Sequence, residues 1–216
     1  MALLSKIGRI LREEGLSGVL RRALSRVHRR RDEVFVERNL HRGDEVPFLP
    51  RKPFVMRFLE SGELDLIAPH VTPERLAQYE RRLADGMRCA VCLTPDESEC
   101  LGWVWSTDRP HFEPFDNATY LAIPDTFLHI DGEVVSESRG RGVAFTAYPL
   151  MWSFWRGRGF DKCHCTIDVL NKPSLKIHDR MGYERTATVT VRTLFGFMWA
   201  RPASHRLAPG DVTGRG

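Results

Sequence analysis

The stretch Val134-Val-Ser-Glu-Ser-Arg139-Gly-Arg-Gly142-Val-Ala144 decides how the chain is read. β-Branched residues end a strand, basic residues and glycines make a tight turn, and an apolar run opens a helix. Such a junction gathers unpaired backbone N–H groups and the positive end of the helix dipole at one place, which suits an anion. Gly140 and Gly142 let the backbone approach a pyrophosphate with no Cβ in the way, while Arg139 and Arg141 add positive charge.

Outward from this turn the pattern alternates. Upstream, Phe127 to Val135 has the composition of a strand, and downstream an apolar helical segment extends to Trp155. Pro149 falls about seven residues into that helix, where loss of a hydrogen bond should kink or shorten it at a cost of about 3 kcal/mol. A strand around Lys162 to Val169, a helix from Asn171 to Met181 and a β stretch from Tyr183 to about Trp199 follow. On the N-terminal side, strands are expected at Glu33 to Leu40, Phe54 to Leu59, Met87 to Leu93 and Cys100 to Trp105. Between them Thr72 caps, and Pro73 opens, a helix to about Ala84 that closes at Gly86. Several strands in succession before a βαβ unit make a mixed α/β (α+β) fold.

Charge is unevenly spread. The 216 residues carry a net +4, yet residues 1–31 alone hold nine Lys/Arg against two Glu, which leaves the body slightly acidic. A nucleic-acid-binding domain would spread its basic groups over the folded surface, so nucleic acid is discounted as a ligand. Leu3, Ile7, Ile10 and Leu11, then Leu16, Leu20, Leu24 and Val27, repeat at helical spacing on either side of Gly15 and Gly18. Residues 1–31 therefore read as a basic amphipathic helical arm, which could lie on an anionic membrane, dock on an acidic protein, or pack on its own domain. Residues 32–200 form the domain, and 201–216, with few large apolar groups, are expected to be mobile.

No apolar run reaches the 18 or so residues needed to span a bilayer, and no secretory signal is evident, so a cytoplasmic location is expected. The five cysteines, an odd number, then read as free thiols. Cys89 and Cys92 are three apart on a strand and point to opposite faces. Cys163 and Cys165 share a face, with His164 on the other. No metal site is expected from these spacings.

The order Arg139-x-x-Gly142-x-Ala144 after a strand, and later Asn171, Ser174, His178, Gly182 and Tyr183, resembles the two signatures of the GNAT superfamily of N-acetyltransferases. The likeness is close over about 127 to 195 and absent from 1 to 31. It implies a mostly antiparallel mixed sheet, splayed open at the cofactor strand and flanked by helices, with acetyl-CoA or another acyl-CoA as cosubstrate. By that resemblance the cofactor arm pairs with Val134, Val135 and Ser136. The pyrophosphate lies on the turn from Arg139 through Gly140, Arg141, Gly142 and Val143 to Ala144, and Asn171 and Ser174 face it across the cleft.

Acyl transfer to an amine asks for a general base and a source of a proton for the departing thiolate. His129, Asp131 and Glu133 are expected to alternate onto one strand face, with Glu133 the favoured base and Asp131 next. His178 stands where related enzymes commonly place a tyrosine, and is the candidate general acid. The acceptor is a small-molecule or peptide amine that the sequence does not specify. A rival reading keeps the fold and CoA binding without turnover, as a regulatory or scaffolding module.

Overall fold

The computed structural model describes residues 28–42, 54–113, 118–121, 123–194, 197–202 and 212–214. The strands among the described residues are β1 (His28–Asn39), β2 (Val55–Phe58), β3 (Arg88–Leu93), β4 (Cys100–Thr107), β5 (His111–Glu113), β6 (Ala118–Tyr120), β7 (Thr126–Val134), β8 (Lys162–Asp168), β9 (Glu184–Leu194), β10 (Phe197–Pro202) and β11 (Val212–Gly214). The α-helices are α1 (Pro73–Ala84), α2 (Val143–Arg156) and α3 (Lys172–Arg180). Eight strands form one sheet in the order β10-β9-β1-β8-β7-β4-β3-β2, and β11-β6-β5 form a small second one. Every pairing in the large sheet is antiparallel except that of β7 with β8.

The helices start where the chemistry of their first residues dictates. Thr72 caps α1 by accepting from the Arg75 amide, and Pro73 needs no acceptor in the first turn. Asn171 caps α3 in the same way through Ser174 N. All eight residues of β4 are buried because both faces of the sheet are covered there. On one face Tyr79 of α1 packs with Leu59, Ile67, Val91, Trp103 and Trp105. On the other, Tyr148, Met151, Trp152 and Trp155 of α2 and Leu175 of α3 pack over Phe127, Val104, Cys163 and Cys165.

Several expectations change. Helix α2 runs unbroken past Pro149 and ends at Arg156, so the proline does not shorten it. Strand β1 begins at His28, which places Arg29 to Arg31 in the sheet opposite β9 rather than in a helical arm. Residues 1–27, the rest of that arm, lie outside the described residues. At the other end β10 reaches Pro202, and Val212–Gly214 pairs with β6, so the tail expected to be mobile contributes a strand. The five cysteines are free and buried, with Cys89 and Cys92 in different clusters on opposite faces.

Candidate functional site

The site begins where two strands part. β7 and β8 are paired only at Thr126↔Lys162, Phe127↔Cys163 and Leu128↔His164. Beyond Leu128, β7 keeps β4 as its neighbour as far as Gly102↔Val134, while β8 continues against β1 to Glu33↔Asp168. Among the described residues, β7 has no strand partner on its inner edge from His129 onward. An open edge of this kind presents N–H and C=O groups to an extended, amide-bearing ligand.

β7 ends in the turn read from the sequence. Ser136–Ser138 form a single 3-10 turn, and Gly140 and Gly142 take φ of +76° and +89°, a left-handed conformation that an L side chain resists. Gly142 is the N-cap of α2, so the amides of Val143 and Ala144 have no intrahelical acceptor. A Cβ built on Gly140 would meet nothing within 4 Å, so it is the backbone conformation and not crowding that calls for glycine there.

A cleft of about 690 Å³ runs from this turn to α3. It brings together Glu133, Val134, Arg139, Gly140, Gly142, Val143 and Ala144 with Asn171, Ser174 and His178. Val135, Ser136 and Arg141, also expected at the cofactor, do not line it. Val135 packs toward the α1 side, and Ser136 and Arg141 are exposed on the turn. Lys176 and Arg180, one helical turn apart on α3, line the cleft as well and were missed. Their i, i+4 spacing was legible, but nothing in it said which way that face of α3 would point. With Arg139 they make the cleft positive, which suits a polyphosphate.

The three candidate bases do not share a face. The β4–β7 register shifts between Trp105 and Ser106, so that Asp131 opposes Trp105 while His129 opposes Ser106. This β-bulge at Ile130 breaks the alternation on which the expectation rested. His129 turns toward α2 and α3, its ring 5.1 Å from that of Tyr148 and 5.6 Å from that of His178. Asp131 turns toward α1, where its carboxylate accepts from Arg75 Nη2 (3.0 Å), Arg82 Nη1 (2.8 Å) and Tyr79 Oη (3.1 Å). Burial alone would raise the Asp131 carboxyl, but the two guanidiniums and these hydrogen bonds hold it below the ordinary carboxylate range. A carboxylate so fully engaged is a poor base. Glu133 lies on the same side, with Arg75 Nη2 near it at 3.6 Å, and its side chain is 38% exposed.

His178 does not fit the role of general acid. Burial takes its pKa down to about 4, so the ring is neutral near pH 7. Its Nδ1 lies 2.8 Å from the Ser174 carbonyl and must donate to it, which leaves Nε2 as an acceptor facing Tyr148 Oη at 3.4 Å and Cys165 Sγ at 3.5 Å. His178 lines the cleft, but its burial is not legible from the spacing.

No family model matches the sequence, and no curated protein does. Solved structures do. A GCN5-related N-acetyltransferase from Sphaerobacter thermophilus superposes with a TM-score of 0.53 at 16% identity, over 90% of this chain and 59% of that one. The fold is that of the GNAT N-acetyltransferases. A Drosophila protein (TM-score 0.53, 17% identity) is matched over 84% of this chain and 58% of its own. A tandem GNAT protein from the clavulanic acid biosynthesis pathway (TM-score 0.50, 15% identity) is matched over 81% and 54%. The chain thus spans less than two thirds of the length of each of these proteins. No helix among the described residues is long and apolar enough to cross a membrane.

Proposed function

We propose that this GNAT-fold chain is an acyl-CoA-dependent N-acyltransferase, most simply an acetyltransferase, acting on an amine. The observation that supports it most is the open inner edge of β7 leading directly into the left-handed Gly140–Gly142 turn and the free amides of α2. The residues present suit the cosubstrate. β7 backbone from His129 to Val134 suits the pantetheine amides. The amides of Val143 and Ala144, with Arg139, Lys176 and Arg180, suit its phosphates. When bound, acetyl-CoA would supply an activated acyl thioester.

The protein's own groups then divide the work between the two faces of the sheet. The α2–α3 side of the cleft suits the cofactor, and Glu133 lines the cleft on its α1 side beside Arg75, so the amine is expected to arrive from the α1 side. Glu133, directly or through a water, takes the proton that the substrate ammonium must lose before its nitrogen can attack. A backbone N–H on the open edge of β7 stabilises the negative charge that develops on the acyl oxygen. After attack the nitrogen still carries a second surplus proton, which can pass to the departing thiolate directly or through a water, so no acid need be assigned to His178.

The test is release of CoA from acetyl-CoA across a panel of amines. Glu133→Gln is expected to lower kcat about 10²- to 10⁴-fold with little change in acetyl-CoA affinity. Turnover equal to that of the unaltered protein would remove Glu133 from the mechanism. Acetyl-CoA binding without turnover on any amine would favour a CoA-binding module over an enzyme.

A further inference from the structure

We infer that His129, Cys165 and His178 form a binding site for one divalent cation of the zinc type, set just beneath the cleft floor. Each residue comes from a different element (β7, β8 and α3), and one ligand atom from each lies within 4.8 Å of the other two. They are 8%, 6% and 3% exposed. The inference does not depend on acyl transfer.

One edge of the set already has the length of a coordination-shell edge, and the others, within 4.8 Å, would close around a bound cation. On a tetrahedral zinc with Zn–N of about 2.0–2.1 Å and Zn–S of about 2.3 Å, an N···S edge is about 3.5–3.6 Å long. The His178 Nε2 to Cys165 Sγ distance is 3.5 Å. The Tyr148 hydroxyl, 3.4 Å from the same nitrogen, stands where an oxygen ligand or a metal-bound water would complete the set. His178 is also held as metal-bound histidines are. Its Nδ1–H is tied to the Ser174 carbonyl at 2.8 Å, which fixes the tautomer and points the Nε2 lone pair into the cluster.

Hydrogen bonding alone leaves the cluster unbalanced. The Cys165 thiol, whose other acceptor is the Thr166 carbonyl at a long 4.0 Å, and the Tyr148 hydroxyl are both within reach of the single Nε2 lone pair of His178, which can accept only one of them well. Meanwhile Nδ1 of His129 is buried with no hydrogen-bond partner among the described residues. Groups in this state are rare in folded interiors and call for an explanation. A cation resolves both mismatches, because the thiol gives up its proton to solvent, the sulfur binds as thiolate, and the free imidazole lone pair finds an acceptor.

The position gives the site a structural consequence. The β7–β8 ladder ends at Leu128↔His164, and His129 and Cys165 are the next residues along each strand. A metal joining them would pin the vertex from which the two strands diverge, and through His178 would fasten α3 to it. Nothing in the Cys163-His164-Cys165 spacing announces this. Cys163 belongs to a different contact, its Sγ 3.1 Å from Tyr183 Oη, and the other ligands come from distant segments.

The experiment uses the full chain, stripped with a chelator, and titrates it with Zn²⁺ against a chromophoric competitor and separately with Co²⁺. The expected result is one zinc per chain and, with cobalt, the near-ultraviolet charge-transfer absorption of a thiolate–cobalt bond. Cys165→Ala is expected to abolish that absorption, whereas Cys163→Ala, which removes a thiol from the same strand face, is expected to keep it. The unaltered protein decides on its own if a variant fails to fold. Folded chain that takes up no zinc and shows no thiolate–cobalt band overturns the inference, as does a band that survives Cys165→Ala.

Discussion

Replacing Asp131 by asparagine is expected to destabilise the protein by about 3–5 kcal/mol, the loss seen when one partner of a buried ion pair is removed. The Arg82 side chain is only 5% exposed and its Nη1 donates to Asp131 at 2.8 Å, so neutralising the carboxylate breaks an ion pair that is largely out of water. Arg75 is 41% exposed and can turn to solvent, so most of the effect belongs to Arg82. Tyr79, which donates to the same carboxylate and accepts from Trp103 Nε1 at 3.1 Å, carries the disturbance into the apolar cluster under α1. Denaturant titration measures it as a lower midpoint at unchanged slope. A loss below about 1 kcal/mol, the range of exposed pairs, would mean that Asp131 is no more than a surface ion-pair residue.

Trp152→Ala is expected to cost a similar amount, about 3–5 kcal/mol, for a different reason. Trp152 is fully buried between α2 and the sheet, with the Arg38 guanidinium 3.8 Å above its ring and its Nε1 donating to Tyr183 Oη at 3.2 Å. Truncation opens a cavity that the rigid surroundings close only in part, and it strips the stacking partner from a buried arginine. Because Tyr148 packs on Trp152 with ring centroids 5.9 Å apart, the variant should also loosen the cleft floor. Trp152→Phe keeps most of the volume and is expected to lose distinctly less. Equal losses for the two variants would show that the indole hydrogen bond, not the packing, carries the stability.

What the sequence makes legible here is local. Thr72-Pro73 and Asn171 mark helix starts because caps act through neighbours two or three residues away. Gly140 and Gly142 mark the turn before α2 because their left-handed conformation disfavours other residues. The errors arise where a second segment decides. A strand read as strictly alternating put His129, Asp131 and Glu133 on one face, but the bulge opposite Trp105 and Ser106 exists only in the pairing of β4 with β7. Arg29 to Arg31 resembled the end of a basic helix because charge carries no strand signal, and pairing with β9 decides otherwise. The short strands β5, β6 and β11 are three residues each, too brief for any periodicity to show. His178 was placed in the cleft by spacing alone, whereas its neutral, hydrogen-bonded state depends on Ser174, Tyr148 and Cys165 around it.

Calorimetric titration of the protein with acetyl-CoA, paired with its melting temperature, tests the central claim that the β7 edge and the Gly140–Ala144 turn hold an acyl-CoA. At a hundredfold excess over its dissociation constant, acetyl-CoA should bind with one-to-one stoichiometry and stabilise the fold by about 2.7 kcal/mol. In a domain of this size that is a rise of several degrees. Gly142→Val puts a branched side chain at a φ of +89° beside the α2 amides, and should lose the binding heat and the stabilisation together. No binding heat and no shift at millimolar acetyl-CoA or CoA, or a Gly142→Val variant that binds as well as the unaltered chain, would contradict the account.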